Sequence, residues 1–518
     1  MSGGSLSESS FLVEKSKNGE ETCSFSGKYL HSKYNPLAEA EKFVQNIEAD
    51  FFPECLFILE PALSYCALPL KKRFPKTKFF AIRYVSFFKD TDSKWDKVFY
   101  LDDNLALSDR LFNYFGEEKL YSSLFFEWPA SKQIFSGESS LAWSEIKKAI
   151  LKSRDVLGTR AYFSKRWFKN SLIFASSIKN PVTIKKINLP VIIASSGPSL
   201  RDSLPYLKEF RNSFFLISVS SAFQPLFHNG IIPDLVISSD GGYWAKKHLE
   251  FPAKDCSTIF ALETESAVPK KILEKQKIIP LIYEDSQGKD FLDALKMPYM
   301  LSERCGTVAG TALTFALSLT ENKVYLCGQD LAPSAGFQHT QPNALENGNA
   351  QKDFRLKNTE TRITRSRFNS SQSLEIYRNW FISNSDYFSS RVMRLSDNYK
   401  YDFSLGKIKD INWNDFEKTT AASKSFSLIT DKNTEKNAFL IEHSKKLTNE
   451  SEESVKTRNK YLLQKLIEIS KKQRFIDEVF TMDSILIHRE ISELKKQELI
   501  KKTDLKVQEF IRECEKIL

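Results

Sequence analysis

Between residues 189 and 328 six short apolar runs recur: "LPVIIA", "SFFLISVS", "PDLVISS", "STIFALE", "KIIPLIYE" and "KVYLCG". Each is rich in β-branched residues and too short to be a helix, and helix candidates lie between most of them. Runs that are apolar throughout, rather than alternating, belong to strands buried on both faces. Such strands form parallel sheets covered by helices on each side. The sequence therefore predicts an α/β chain with a central, doubly wound, mostly parallel sheet of Rossmann-like type.

The rest of the chain is organised around that centre. Residues 1 to 20 are polar and Ser/Gly-rich and are expected to be loose. Residues 21 to 185 read as an N-terminal α/β domain. In "GKYLHSKYNPLAEAEKFVQ" a short strand precedes a helix that starts at Pro36, and "CLFILEPALSYCALPLKKRFPKTKFFAIRYV" reads as strand, short helix, strand. Its first turn, "EPAL", has no glycine, so a dinucleotide site is not expected there. Residues 105 to 185 are mostly helical in pattern. The central domain is placed at 186 to 345 and a mostly helical C-terminal domain at 346 to 518. In the latter, Leu462, Leu466, Ile469, Ile476 and Val479 fall on one stripe, and the charges around them read as solvated helix faces.

Composition excludes several function classes. Hydrophobic residues make up 41% and charged residues 27%, a soluble globular balance. The formal charge of +10 is spread over 75 basic and 65 acidic residues, with no basic arm, so nucleic acid is not an expected partner. The cysteines Cys23, Cys55, Cys66, Cys256, Cys305, Cys327 and Cys514 are scattered and contain no CxxC, which argues against a zinc site and against disulfides. No metal ligands are assigned. No apolar run approaches the ~18 residues that span a bilayer, and the N-terminus lacks the order of a signal peptide. The expected location is the cytoplasm.

Four stretches are candidates for chemistry. In "ASSGPSLRDSL", Gly197 and Pro198 form a turn, Ser199 is placed as a helix N-cap with Asp202 three residues on, and Ser195 and Ser196 add hydroxyls. A helix start with outward N–H groups favours an anion such as phosphate, although a simply capped turn has the same pattern. In "IIPDLVISSDGGYW", Asp240 closes a buried strand. A carboxylate there takes a ribose hydroxyl, a metal or a proton, or merely shapes the turn. Asp234 reads as a turn residue. In "ERCGTVAGTALTFALSL", Cys305, Gly306 and Thr307 open an apolar helix whose small residues serve a ligand or close packing. In "KVYLCGQDLAPSAGFQHT", Gln329 and Asp330 follow a strand end and His339 lies on a loop, either as a proton-transfer group or as an ordinary loop residue. No Ser-His-Asp order, HExxH or GxxxxGKS is present. Taken together, three strand ends and one helix start form a single polar crevice suited to a nucleotide.

"SSGPSL", "PDLVISSD", "CGTVAGTAL" and "VYLCGQDLA", in that order, resemble the motility-associated factor (Maf) family of flagellin glycosyltransferases, as does "LHSKYNPLAEAEKF" near the N-terminus. The resemblance covers most of residues 25 to 400. The family's central domain is similar to bacterial sialyltransferases that use a CMP-activated sugar and to archaeal-type 6-hydroxymethylpterin diphosphokinases that use ATP. The resemblance implies transfer of a nonulosonic acid of the pseudaminic or legionaminic type from a CMP donor to Ser or Thr of flagellin in the cytoplasm. It further implies that Ser196, Gly197, Pro198, Ser199 and Asp240 meet the nucleotide and that Cys305, Gly306 and Thr307 line the donor site. Gln329, Asp330 and His339 would then stand near the reacting centre. It implies no tightly bound cofactor, and Mg2+ is compatible but not required. The alternatives are a pterin-type diphosphokinase using ATP and Mg2+, and a non-catalytic flagellin-binding protein. The C-terminal helices are the candidate for acceptor recognition, by elimination.

Overall fold

The structure is a computed structural model that describes residues 10–103, 105–250, 258–284, 286–331, 339–356, 358, 372–396, 404–417, 440–442 and 452–518. The chain divides into two compact units. One comprises residues 1–164 and 472–509, the other 165–471 and 510–518.

In the first unit, strands β1 (Phe11–Lys15), β2 (Glu21–Phe25) and β3 (Lys28–Tyr29) form a small antiparallel sheet. The stretch expected to be loose thus contains a strand, because Phe11 is anchored among Phe25, Phe87 and Phe88. Helix α1 (Pro36–Gln45) starts where Pro36 predicts, capped by the Asn35 side chain. Strand β4 (Cys55–Leu59), α2 (Ala67–Arg73) and β5 (Lys78–Arg83) confirm the strand–helix–strand reading. They are followed by β6 (Lys97–Tyr100), α3 (Leu107–Tyr121), β7 (Ser123–Glu127) and α4 (Pro129–Ile134). The parallel sheet has the order β6-β5-β4-β7, so the chain reverses its winding between β4 and β7.

The strand ends at that reversal are filled by the protein's own groups. Glu60 and Arg83 are fully buried and ion-paired at 3.0 Å. Arg83 also donates to Ser64, to Asp92, and to the carbonyls of Ala62 and Phe88. Glu60 accepts the N–H groups of Tyr84 at 2.7 Å and Ala62 at 3.2 Å.

The long helix α5 (Ser136–Ser177) leads into the second unit. There β8 (Val182–Ile184) pairs with β18 (Leu440–Glu442). The main sheet is built from β9 (Val191–Ala194), β10 (Phe215–Val219), β11 (Leu235–Ser238), β12 (Ile259–Glu263), β13 (Ile278–Tyr283), β14 (Met300–Ser302), β15 (Val324–Cys327), β16 (Val392–Leu395) and β17 (Lys409–Ile411). Its order is β14-β13-β12-β11-β10-β9-β15-β16-β17, parallel throughout. All six apolar runs are strands, and every residue of β9, β10, β11, β12, β13 and β15 is buried. Helices α6 (Leu200–Glu209), α7 (Ser220–His228), α8 (Tyr243–Leu249), α9 (Lys270–Lys275), α10 (Gln287–Ala294) and α11 (Val308–Leu319) connect them. After β15 comes α12 (Ala344–Ala350).

Two features differ from the sequence reading. Strands β16 and β17 extend the sheet beyond residue 345, so the central unit does not end there. The C-terminal stripe also serves two cores. Leu462, Leu466 and Ile469 are buried in the second unit, on a helix (Glu452–Ser470) whose Arg458 donates to the carbonyls of Ser176 and Ile178. Val479 is buried in the first.

Candidate functional site

Successive strands β9 to β14 run outward in one direction, and β15 returns to the other side of β9. Adjacent crossovers diverge at that point, beyond the carboxyl ends of β9 and β15, which is where sheets of this topology usually leave a crevice for ligands. The backbone there is drawn tight. Ser195 N–H donates to the Cys327 carbonyl at 2.8 Å, and Gly197 N–H to the Gly328 carbonyl at 2.9 Å. Gly328 has φ +65°, and a Cβ on it would stand 2.2 Å from the Ser195 carbonyl oxygen. A Cβ on Gly197 would stand 2.4 Å from Asp330 Oδ2. Both glycines are required by this close approach.

Asp330 fills the space that Gly197 leaves. Its Oδ2 accepts the Ser199 N–H at 2.7 Å. The expected Ser199 side-chain cap does not form. The next amides are also satisfied, Leu200 by the Gly197 carbonyl, Arg201 by Pro198 and Asp202 by Ser199. The start of α6 is therefore not a bare anion site, because a buried carboxylate from 131 residues away already complements it.

The other oxygen, Asp330 Oδ1, is buried with no hydrogen-bond partner among the described residues, and so are Gln329 Oε1 and Ser195 Oγ. Burial pushes the Asp330 carboxyl up to about 6, against the opposing pull of Ser199 and the Arg394 charge. Arg394, itself fully buried, holds Asp410 at 2.7 and 2.9 Å and donates to the Gln329 carbonyl at 3.4 Å. Buried polar atoms without partners are costly and call for a ligand or a solvent molecule. Two acceptors and one hydroxyl suit a ligand that donates through O–H or N–H.

The loop after β15 is lashed to β9. Thr340 N–H donates to the Ser196 carbonyl at 2.7 Å, and Thr340 Oγ1 to the Gly197 carbonyl at 2.7 Å. Ser196 Oγ lies 2.7 Å from Ser221 Oγ, and Asn343 donates to the Ser221 carbonyl at 3.0 Å. His339 follows as the neighbour of Thr340. Its N–H donates to Glu346 Oε1 at 3.2 Å, and its Nδ1 stands 3.6 Å from the same oxygen. The ring of His248, on α8, is 6.2 Å from that of His339. The structure thus gathers Ser196, Gly197, Pro198, Ser199, Gln329, Asp330 and His339 in one place.

Asp240 lies two strands away from β9, roughly 10 Å at the usual strand spacing. It is exposed and accepts the Gly242 N–H at 2.7 Å, as a turn residue does. Its charge adds to burial in raising the Tyr377 hydroxyl above its ordinary value. Asp234 is buried and structural, held by Arg211 at 2.9 Å and by the Leu216 N–H at 2.8 Å. Cys305, Gly306 and Thr307 stand on the β11 side of the crevice, where Thr311 of the same helix meets Ser239. Gly310 admits Cys305 and Trp380 against α11, which is the close-packing role.

Three residues escaped the sequence reading. Glu346 is buried beneath His339, His248 is buried beside it, and Glu263 is fully buried at the end of β12. Burial, reinforced by the charge of Glu265, raises Glu263 well above the usual carboxylate range. For Glu346 the signal was Asn343-x-x-Glu346, a helix-start pattern in which the acidic side chain reaches back.

Among the described residues there is no group of three or more His, Cys, Asp or Glu that could hold a metal ion. The six described cysteines are free and buried. Cys256 lies outside the described residues. No described helix is long and apolar enough to cross a membrane.

A doubly wound parallel sheet whose winding reverses between β9 and β15 defines a Rossmann-like fold. Known proteins agree with that class. Residues 165–336 match the family described as 6-hydroxymethylpterin diphosphokinase MptE-like. The chain is 30% identical over 320 residues to an uncharacterized protein of Treponema pallidum (strain Nichols), covering 62% of this chain and 70% of that one. It belongs to the same family as that protein, with an MptE-like central domain. Its fold is that of a Maf glycosyltransferase from Magnetospirillum magneticum AMB-1, with a TM-score of 0.52 over 98% of this chain and 91% of that one at 12% identity. The fold resemblance to the Maf family therefore extends over nearly the whole chain.

Proposed function

We propose that the protein is a glycosyltransferase that moves a nonulosonic acid from a CMP donor to a Ser or Thr hydroxyl of flagellin. The observation that carries this reading is the meeting of Gln329, Asp330 and His339 with the Gly197–Ser199 turn at the crevice between β9 and β15. The whole-length likeness to a Maf glycosyltransferase supports it. In this reading Asp330 Oδ1 and Gln329 Oε1 accept hydroxyl or amine protons of the donor, and Asp240 takes a hydroxyl of the nucleotide. The bond from the sugar's anomeric carbon to the phosphate breaks, CMP departs with the electron pair, and the electron-poor carbon is captured by the acceptor oxygen. His339 accepts the acceptor's proton. Mg2+ is not needed for that exchange.

The match of residues 165–336 to MptE-like proteins favours one second reading, an ATP-dependent pterin diphosphokinase. Calorimetric titration with CMP and, separately, with ATP plus Mg2+ distinguishes them. Binding of CMP alone, followed by a sugar-mass increment on flagellin incubated with protein and donor, is the expected result. Conversion of ATP and a pterin to AMP without a protein acceptor would replace the proposal with the second reading.

A further inference from the structure

We propose that Glu346 is a positioning residue that fixes the proton of His339 on Nδ1 and so presents Nε2 as the proton acceptor, an inference that rests on the function proposed above. Glu346 sits in the first turn of α12, with its side chain only 2% exposed. One of its oxygens, Oε1, is shared between the His339 backbone N–H at 3.2 Å and His339 Nδ1 at 3.6 Å. That oxygen therefore holds the backbone of His339 and faces its ring from just beyond hydrogen-bond reach, Nδ1 having no hydrogen-bond partner among the described residues. A contact this close in a free enzyme tightens into a bond when the reactants bind. The imidazole is partly open, its side chain 23% exposed, so the second ring nitrogen is left to a reactant.

The surroundings hold this pair still. Thr340 ties the loop to the Ser196 and Gly197 carbonyls, and Asn343 caps α12 and bonds Ser221. Gly348 lets α12 sit directly on the Trp244 ring, where a Cβ would come within 2.3 Å. His248 faces His339 from α8. Burial, then the neighbouring imidazole, lowers its pKa to about 4, so it stays neutral and adds no competing positive charge. An imidazole whose Nδ1–H is fixed by a carboxylate is oriented and in one tautomer, the arrangement that makes Nε2 an effective base. In the transfer step the acceptor O–H proton moves to Nε2 as the acceptor oxygen bonds to the sugar carbon and CMP leaves. The charge that develops on the ring is met by Glu346.

Two measurements test this. In alkaline buffer, nitrogen and carbon NMR of the histidine-labelled full chain reports the tautomer of each of its six histidines, and His339→Asn identifies the relevant signal. The expected result is Nδ1–H for His339, converted to Nε2–H in Glu346→Ala and kept in His248→Asn. Nε2–H in the wild type, or no change in Glu346→Ala, overturns the proposal. In transfer from a CMP-activated nonulosonic acid, Glu346→Gln should lower kcat roughly 10–100-fold at constant KM, and Glu346→Asp should recover part of it. The same Gln change in a His339→Gln background should cost less than about 2-fold, because the residues act as a unit. Full additivity overturns the positioning role. Absence of transfer by the wild type sinks the glycosyltransferase reading instead and leaves the tautomer result to decide the pair.

Discussion

Asp330 Oδ2 lies 2.7 Å from the backbone nitrogen of Ser199, so the turn at the mouth of β9 is closed by a carboxylate of the protein itself. The pKa direction of that group fixes a dependence on pH. Its folded value, about 6, lies above the ordinary 3.8, so the folded state holds a proton that the unfolded chain releases. Stability therefore falls as pH rises from about 4 to about 6, by on the order of 3 kcal/mol for a shift of this size. Asp330→Asn should remove that part of the slope. Urea unfolding of both proteins across the window checks it, and parallel curves would mean Asp330 does not titrate there.

Gly197→Ala should be destabilising by about 1–3 kcal/mol, the usual range for overpacking a tight site. The added methyl has nowhere to go, since Asp330 Oδ2 and the Gly328 carbonyl would both stand within 2.5 Å of it. Thermal melting reads the loss, and an unchanged melting temperature would contradict the close approach.

Asp240→Ala should behave in the opposite way. The side chain is exposed and its one described hydrogen bond is to Gly242, so stability should change by no more than about 0.5 kcal/mol. CMP binding in a calorimeter should be lost. Retained binding would remove Asp240 from the nucleotide site.

In the first unit, Arg83→Met should cost about 3–5 kcal/mol, because it strands the fully buried Glu60 carboxylate. Denaturant unfolding measures it. A midpoint equal to that of the wild type would show that Glu60 finds other partners.

A chain ending at residue 425 should fail to fold rather than merely lose its acceptor. It would lack the Arg458 bonds to Ser176 and Ile178, the buried Leu462 and Leu466, and the helices counted in the first unit. Circular dichroism and limited proteolysis report the outcome. A stable, nucleotide-binding fragment would restore the view of these helices as an appended recognition domain.

The sheet was legible because its strands are apolar throughout, and residues such as Val191–Ala194 carry no polar atom to confuse the pattern. The last two strands of the sheet, β16 and β17, are short and carry Arg394 and Asp410, whose charges suggest solvent until the sheet pairs them. The meeting of Asp330 with the Gly197–Ser199 turn was legible in outline too, since polar residues directly after buried strands had few places to go. Its internal wiring was not. Ser199 looked self-capped because its true partner is 131 residues distant, and Glu346 looked like an ordinary helix-start acid. Local patterns report what a residue is able to do, and only the fold decides which distant group takes the bond.

The inward-turned carboxylate at α6 also decides what the crevice ignores. Many phosphate sites of this architecture bind any small oxyanion, so inorganic phosphate and sulfate compete with the true ligand. Here the amide of Ser199, just before the helix, faces a covalently attached anion at very high local concentration, and the amides of Leu200, Arg201 and Asp202 are closed by their own turn. Free oxyanions gain no open amide at that point, and under the function proposed above selectivity would pass to groups that can offer a proton to Asp330, Gln329 and Ser195. The protein would then discriminate its ligand by hydroxyl pattern in a phosphate-rich solution.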